Sequence, residues 1–143
     1  MTIAHILKHK GSTIMGVSPD QSLQEAALIL TERRVGALVV LDSDGHVEGI
    51  LSERDIVRLC AQAGAAAMTY KVAAAMTKDV LTASPRDKVD SALARMTDRR
   101  IRHLPVLEGE KLVGVVSIGD LVKAKIDEAV QEADAMRAYI ATG

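Results

Sequence analysis

The chain has 143 residues, of which 48% are apolar, so it can bury a core as one compact domain or as two small, closely packed units. Its formal net charge of −1 argues against a dedicated nucleic-acid-binding protein, which usually presents a basic face. With two Tyr and no Phe or Trp, the chain also lacks the aromatic platforms on which single-stranded nucleic acids stack.

The cysteine content and the apolar patterning indicate the cellular setting. Cys60 is the only cysteine, which excludes an internal disulfide and fits a reducing, cytoplasmic compartment. The N-terminal segment contains charged and histidine side chains, and it has no continuous apolar core of the kind found in signal peptides. No apolar run approaches the roughly 20 residues that span a bilayer. We therefore expect a cytoplasmic protein with neither a membrane nor a nucleic acid as partner.

The first half of the chain predicts helices and strands in alternation. A short amphipathic helix from Thr2 to Lys10 comes first. Within it His5 and His9 have metal-like spacing, but no third ligand is evident and we expect no metal site. The spacing of apolar and turn residues then predicts further elements. These are an extended piece ending at Ser18-Pro19, a helix that starts at Ser18-Pro19-Asp20 and ends at Arg33-Arg34, strands over 37–41 and 47–51, and a helix that begins at Ser52.

The second half of the chain repeats the first. Ser18-Pro19-Asp20 returns as Ser84-Pro85-Arg86, and AALILTERRVGALVVL (26–41) returns as ALARMTDRRIRHLPVL (92–107), both at an offset of 66 residues. GILSERDIV (49–57) returns as GVVSIGDLV (114–122) at an offset of 65, because the turn before it is one residue shorter. Each unit is therefore predicted to be strand, helix, strand, strand, helix. Pro105, inside a strand of the second unit, suggests a strand start or an edge position.

Three segments lie outside the two units. The chain is accordingly divided into a lead-in over 1–13, a first unit over 14–63, an Ala-rich linker over 64–76, a second unit over 77–122 and a C-terminal helix over 123–143. Gly64 is expected to end the helix before the linker. Apolar residues at 3–4 spacing run along the C-terminal helix, from Val122 to Ile140. This helix packs either on its own domain or across a homodimer, and we favour the homodimer.

The repeated motif resembles a known family. The pattern Gly-h-h-Ser-x-x-Asp-h-Val, where h is apolar, follows GALVV in one unit and HLPV in the other. It resembles the CBS domain, named from cystathionine beta-synthase, and two units in one chain resemble the paired arrangement called a Bateman module. The resemblance covers residues 14–122. It implies an α/β (mixed α+β) fold in which two pseudo-twofold-related β-α-β-β-α units pack sheet to sheet, with flanking N- and C-terminal helices.

The resemblance also implies a function. Paired CBS units commonly bind adenosine-containing ligands such as AMP, ADP, ATP, S-adenosylmethionine or NAD(H) in clefts between the units. The family pattern assigns phosphate contact to Ser52 and Ser117, and ribose contact to Asp55 and Asp120. The residues themselves leave two alternatives open. A helix N-terminus attracts anions and a carboxylate suits a vicinal diol, but Ser-x-x-Asp also approximates a capping box that needs no ligand.

Each cleft is expected to combine the Ser-x-x-Asp of one unit with strand residues of the other, as the resemblance implies. The first cleft then contains Ser52, Arg54 and Asp55 with Thr77, Lys78, Asp79, Val80, Ile101, Arg102, His103, Leu104 and Pro105. The second contains Val116, Ser117 and Asp120 with Ser12, Thr13, Ile14, Val35, Gly36 and Ala37. The first cleft holds the guanidinium groups of Arg54 and Arg102 and should be the better phosphate site.

Two functions from different classes follow. The first is a regulatory, non-enzymatic module that senses energy or redox state by binding AMP, ADP, ATP or NAD(H). Ligand binding then alters a homodimer, formed through flat helical faces and the C-terminal helix, or the contact with an unidentified regulated protein. The alternative is a structural or oligomerisation module whose clefts are vestigial. An enzyme is not favoured, because the chain has no Gly-rich phosphate loop, no dinucleotide fingerprint, and no His beside Glu53 or Asp55 in sequence.

Overall fold

The computed structural model describes residues 1–11, 14 and 16–142. Ser12 and Thr13, which are predicted to line the second cleft, lie outside the described residues. The described residues form α-helices α1 (Ile3–Lys10), α2 (Leu23–Arg33), α3 (Glu53–Ala63), α4 (Val72–Ala75), α5 (Val89–Arg99) and α6 (Ile118–Thr142). They also form strands β1 (Gly16–Val17), β2 (Ala37–Leu41), β3 (Val47–Ser52), β4 (His103–Glu108) and β5 (Lys111–Ser117), and a 3-10 helix, Gly64–Thr69.

The same hairpin occurs in both halves. In the first, β2 pairs antiparallel with β3 and parallel with β1; in the second, β4 pairs antiparallel with β5. The register shifts between Val40 and Leu41 in one hairpin and between Val106 and Leu107 in the other, which are matching positions of the repeat. These shifts accommodate turns of different length without turning the strands over. The predicted mixed α/β fold of two repeated units with flanking helices is confirmed.

Pro105 limits how far the segment before Ser84 can pair with β4. It lies third in β4, with β5 on one side and Ala83 on the other, so it is neither at the strand start nor at a free edge. Its carbonyl oxygen accepts a hydrogen bond from Ala83 N at 2.9 Å. A longer parallel pairing on this side needs the N–H group that proline lacks. The segment before Ser84 therefore makes one bridge, between Ala83 and Val106, where β1 makes two.

The helices α2 and α5 begin downstream of the predicted Ser-Pro starts. Ser18 Oγ instead accepts a hydrogen bond from Asp20 N at 3.2 Å and so closes a turn. Ser84 does the same in the second unit, where its Oγ accepts from Arg86 N at 3.3 Å. A hydroxyl that closes a local turn is not available as a helix cap, and Ser22 takes that role for α2. The end predicted for the first of these helices, at Arg33-Arg34, is confirmed, and α5 ends at the equivalent position of the repeat, Arg99.

The segment that precedes each unit completes the hydrophobic core of the other unit. Ile3 and Ile6 of α1 are buried in the core of the second unit, among residues of α5, β4 and β5. Val72 and Ala75 of α4 are buried in the core of the first unit, among residues of α2, β2 and β3. Backbone contacts show the same exchange. One β-bridge joins the residue before α1 to the residue before α5, and another joins the residue before α4 to the residue before α2. Separating the two units would therefore expose both cores to water.

The C-terminal helix α6 continues well beyond the second unit. It has 25 residues, of which Leu121 alone is buried. Ile126, Met136 and Ile140 are 58%, 63% and 70% exposed. Among the helices of the described residues, none combines the length and the apolar character that crossing a bilayer requires. The apolar face predicted from the 3–4 spacing is thus present and largely uncovered by the rest of the described chain.

The end of the linker and the first residue of the second unit meet the first hairpin at Gly49. Ile50 N donates to Thr77 O at 3.0 Å, and Thr77 N donates to Ile50 O at 2.9 Å. A Cβ atom on Gly49 would lie 2.8 Å from Thr77 O and 2.8 Å from Met76 Sδ. Real Cβ atoms do not approach so closely, so glycine is what lets the linker lie flat on β3.

Gly49→Ala is expected to lower the free energy of unfolding by about 1–3 kcal/mol, the usual range for an overpacked contact. Gly114→Ala is the matched control in the other unit, because its Cβ would meet only the side chain of Leu7, which can rotate away. Urea denaturation of both variants measures the difference. Equal losses in the two variants would show that the approach of Thr77 O is not what requires glycine.

Candidate ligand-binding clefts

Both Ser-x-x-Asp motifs form capping boxes at helix N-termini. Ser52 Oγ accepts a hydrogen bond from Asp55 N at 3.3 Å, and Asp55 Oδ2 accepts one from Ser52 N at 2.9 Å. Ser117 and Asp120 repeat this arrangement at 3.1 and 2.8 Å. The boxes stabilise the strand-to-helix corners, so the structural role that the sequence left open is present in both copies. A ligand role of Asp55 is compatible with it, because a carboxylate oxygen keeps a further lone pair. Ser52 Oγ donates to Asp55 Oδ2 at 3.1 Å, so contact with a phosphate requires this hydroxyl to turn its hydrogen toward the phosphate.

Asp55 is also held by Arg58, one turn further along α3. Arg58 Nη1 donates to Asp55 Oδ1 at 3.0 Å, and Arg58 Nη2 donates to Ala75 O at 3.3 Å. Asp55 is only 5% exposed, and both of its carboxylate oxygens already accept hydrogen bonds. A diol must therefore approach the remaining lone pair of Oδ1 or displace Arg58. Sequence reasoning missed Arg58, although its i, i+3 spacing from Asp55 was an available signal.

A cavity of about 570 Å³ lies between the two units. Of the residues predicted for the first cleft, it is lined by Ser52, Arg54, Asp55, Thr77, Asp79, Val80, Ile101, Arg102 and His103. Lys78 is exposed and does not line it, and Leu104 and Pro105 are buried within β4. The start of α3 and two segments of the second unit, 77–81 and 99–103, are thus brought together around one space.

Further residues line this cavity besides those predicted for it. They are Gly36, Ala37, Ile50, Glu53, Arg58, Leu81, Arg99 and Arg100. Gly36 and Ala37 are predicted for the second cleft, but the structure places them in the first. The start of β2 lies against the start of β4, so that a Cβ atom on Gly36 would be 3.3 Å from His103 Cε1. The pseudo-twofold brings these two strand starts to the same cavity, which an alignment of the repeats does not reveal.

The lining of the cavity carries more positive than negative charge. The positive groups are the guanidinium groups of Arg54, Arg58, Arg99, Arg100 and Arg102, and the negative groups are the carboxylates of Glu53, Asp55 and Asp79. Arg58 is paired with Asp55. Within the part of the chain that the structure describes, the other four arginines form no ion pair. Such fork-shaped, charged donors are suited to phosphate.

His103 lies half-buried beside Gly36, at the junction of the units. Burial lowers the pKa of His103 below its usual value, and the charge of Lys10 lowers that pKa further. The carboxylates of Asp120 and Glu53 act in the opposite direction without cancelling the shift. At neutral pH the imidazole is therefore uncharged, with one nitrogen as donor and the other as acceptor.

A lysine of the same chain occupies the second Ser-x-x-Asp corner. Lys10 Nζ, at the end of α1, donates to Asp120 Oδ2 at 2.7 Å and to Val115 O at 2.8 Å. Burial raises the pKa of Asp120, but hydrogen bonds from Lys10 and Ser117 outweigh it and hold the pKa below its usual value. The carboxylate of Asp120 is therefore ionised and already paired within the chain.

The residues predicted for the second cleft do not share one cavity. Asp120 lines a cavity of about 420 Å³, but that space lies between α1 and α6 and is lined by no other described residue predicted for this cleft. Val116 is buried in the core of the second unit, Val35 packs against the core of the first, and Ile14 is half-buried. Ser117 takes part in its capping box. The two clefts are thus unequal in shape and in charge.

Comparisons with known proteins agree with the repeat. The family model of the CBS domain matches the chain twice, at residues 12–62 and 72–127. The CBS domain-containing protein CBSX3, mitochondrial, of Arabidopsis thaliana is 36% identical over an alignment of 150 positions, which covers 99% of this chain and 73% of that protein. The CBS domain-containing protein YhcV of Bacillus subtilis is 34% identical, over 73% of this chain and 74% of that protein.

Enzymes also match, over a minor part of their length. The arabinose 5-phosphate isomerase KdsD of Yersinia pestis is 32% identical over 84% of this chain, but the match covers 36% of that enzyme. For the inosine-5'-monophosphate dehydrogenase of Methanocaldococcus jannaschii, at 29% identity over 78% of this chain, the match covers 22% of the enzyme. The similarity to these enzymes is therefore a similarity to their CBS parts.

Solved structures show the same fold. The CBS-domain containing protein ATU1752 from Agrobacterium tumefaciens has a TM-score of 0.85 and 43% identity, covering 87% of this chain and 92% of that one. The CBS domain pair of the protein MJ0100, in complex with 5'-methylthioadenosine and S-adenosyl-L-methionine, has a TM-score of 0.80 and 25% identity, covering 90% and 98%. The chain belongs to the CBS-domain family and is a tandem pair of CBS domains.

Proposed function

We propose that this chain is a regulatory, non-enzymatic module that binds AMP, ADP, ATP or NAD(H) in the first cleft. The observation that carries the proposal is the cavity between the units, which is lined by arginines of both units and by the N-terminus of α3. Both features favour an anionic ligand. A cavity of about 570 Å³ also has the size of a small-molecule site.

The class of ligand is supported by a relative of known structure. The CBS domain pair of MJ0100 was solved with 5'-methylthioadenosine and S-adenosyl-L-methionine, which share an adenosine group. Adenosine is therefore the part of the ligand that the fold similarity supports for this chain. The phosphate is inferred separately, from the arginines that line the cavity here.

The proposal gives each part of the ligand a partner in the first cleft. Asp55 Oδ1 accepts a hydrogen bond from a ribose hydroxyl, at the lone pair that Arg58 leaves free or releases. Ser52 lies at the positive end of the α3 dipole, where a phosphate is favoured. Arg54 and Arg102 bind phosphate oxygens from opposite units. One ligand per chain is expected, because the described residues predicted for the second cleft do not share one cavity, as those of the first cleft do.

Ligand binding is proposed to act on the arrangement of the two units. The cavity is lined by α3 from the first unit and by segments 77–81 and 99–103 from the second, so a bound ligand contacts both. A ligand with different affinities for two arrangements shifts the population toward the one it prefers. The output is a change in a homodimer or in the contact with a separate regulated protein.

The homodimer is proposed to form through α6 and the neighbouring helical faces. Val122, Ile126, Met136 and Ile140 follow 3–4 spacing on α6 and are exposed in the single chain. Leu28 adds exposed apolar surface on α2. Packing this stripe against a second copy removes apolar area from water, which is the main favourable term in association.

An oligomerisation module with vestigial clefts is the alternative function. Two observations favour it: the exposed apolar stripe of α6, and the carboxylate of Asp55, whose oxygens are satisfied within the chain. Such a module would dimerise as proposed above but would bind no nucleotide. Direct measurement of nucleotide binding therefore separates the two functions.

A cytoplasmic location is proposed from the cysteine content. Cys60 is the single cysteine of the sequence, and its thiol is free. A free thiol fits a reducing compartment. The Arabidopsis relative carries a mitochondrial designation, so location is expected to vary among proteins that share this module.

Asp55→Asn is expected to weaken the binding of AMP or ATP by about tenfold, because a neutral amide holds a ribose hydroxyl less strongly than a carboxylate does. Asp120→Asn is the matched control and should change the affinity by less than about twofold, since Asp120 does not line the first cleft. Titration calorimetry measures both affinities, after circular dichroism has shown that both variants are folded. Equal losses would contradict the assignment of the first cleft, and a wild type that binds no adenine nucleotide would favour the oligomerisation module.

The affinity for a phosphate-containing nucleotide is expected to rise as the pH falls from about 7.5 to about 6, and to rise more steeply in wild type than in His103→Gln. The pKa of His103 lies below its usual value in the free protein, so the imidazole binds few protons at neutral pH. A phosphate beside it favours the imidazolium form and raises that pKa, so that the complex binds more protons than the free protein. Calorimetry in two buffers of different ionisation enthalpy measures this proton uptake. Identical uptake in wild type and His103→Gln would rule out this role of the imidazole.

Met136→Glu is expected to shift the homodimer toward monomer, because it places a charge within the apolar stripe of α6. Ala138→Glu adds the same charge two residues later, on the opposite face of the helix, and serves as the control. Size-exclusion chromatography with light scattering measures the mass of each variant over a range of concentrations. A monomeric wild type, or the same shift in both variants, would argue against α6 as the interface.

A further inference from the structure

Four arginines of the first cleft have no carboxylate partner among the residues that the structure describes. They are Arg54, Arg99, Arg100 and Arg102. Arg54 lies in the first turn of α3, Arg99 ends α5, Arg100 caps that helix, and Arg102 precedes β4. These side chains come from both units and line the same cavity.

The charges of the lining leave a positive excess. With the Arg58–Asp55 ion pair set aside, four guanidinium groups stand against two carboxylates, those of Glu53 and Asp79. A guanidinium group keeps its charge and binds anion oxygens in pairs. The three terminal oxygens of one phosphate are satisfied by about two such groups. Four unpaired guanidinium groups therefore match an anion with more than one phosphate.

The first cleft has a positive excess that the equivalent positions of the repeat do not reproduce. Gly119 and Gly36 stand where the first cleft has Arg54 and Arg102. Arg34, the repeat partner of Arg100, has the same left-handed backbone with φ of 55°. It nevertheless lines neither of the two cavities. The backbone conformation alone therefore does not place a guanidinium group in a cleft.

We propose that the first cleft selects its ligand by phosphate charge. It prefers adenosine compounds with two or more phosphates, such as nucleoside diphosphates, triphosphates or a dinucleotide, over the monophosphate, and it disfavours a sulfonium cation. The inference rests on the proposed function of this cleft and names its ligand class more narrowly. Each added anionic group interacts favourably with the excess positive charge of a partly enclosed cleft, whereas a ligand cation is repelled. In this respect the chain is expected to differ from MJ0100, whose CBS pair was solved with S-adenosyl-L-methionine.

The test is titration calorimetry of the full chain with adenosine, AMP, ADP, ATP, NAD and S-adenosylmethionine, at fixed salt and without Mg²⁺, which would itself neutralise phosphate. The affinity is expected to rise by about tenfold from AMP to ADP or ATP, since each charge-assisted contact adds about that factor. S-adenosylmethionine should bind more weakly than adenosine. Inorganic tripolyphosphate, used as a probe without adenosine, should compete with ATP.

Two variants locate the effect. Arg99→Gln and Arg102→Gln should each weaken ATP by about tenfold and leave adenosine within about twofold, because they remove a phosphate contact and no adenosine contact. Arg34→Gln, outside the cleft, should change neither affinity. Comparable affinities for AMP and ATP, tighter binding of S-adenosylmethionine than of ATP, or equal effects of Arg102→Gln and Arg34→Gln would overturn the selectivity while the proposed function stands. Absence of binding by every adenosine compound would overturn both.

Discussion

The exchange of apolar segments between the two units is the interaction on which the rest of the structure depends. Ile3 and Ile6 close the core of the second unit, while Val72 and Ala75 close the core of the first. A unit of this size is marginally stable by itself, so the segment that completes each core adds stability that the unit lacks alone. The two units are thereby held against each other. The cavity between them, with arginines from both sides, is a consequence of that packing.

Much of the fold could be predicted from the sequence, because the repeat supplied two independent copies of each local pattern. The strands, their hairpins and the helix ends were found, since alternation and turn chemistry are properties of neighbouring residues. The helix starts were placed too early, because the hydroxyl of Ser18 serves a turn and Ser22 serves the helix. The exchange of α1 and α4 was not predicted. Local periodicity shows that Ile3 and Ile6 form an apolar face, but it does not show which core receives it.

The residues of the candidate site could be predicted to about the same extent as the fold. The motif residues Ser52 and Asp55 meet the expected segments of the second unit, as the repeat and the family pattern suggest. Arg99 and Arg100 lie at the exposed end of α5, and only the packing of the units brings them to the cavity. Lys10 carries no signal in sequence at all, because its partner is 110 residues away. Contacts of this kind depend on tertiary packing, so they cannot be recognised from a single sequence.

The exchanged segments make the chain equivalent to a domain-swapped dimer whose two protomers have been joined covalently. In a swapped dimer an identical element passes from each protomer to the other, and here α1 and α4 do so within one polypeptide. The linker turns a bimolecular association into an intramolecular one, with the high effective concentration that a short tether gives. Joining also removes the requirement that the two halves be identical. Arg54 in one half and Gly119 in the other illustrate the result. The first Ser-x-x-Asp motif lines a charged cleft, while the second is paired with a lysine of the same chain.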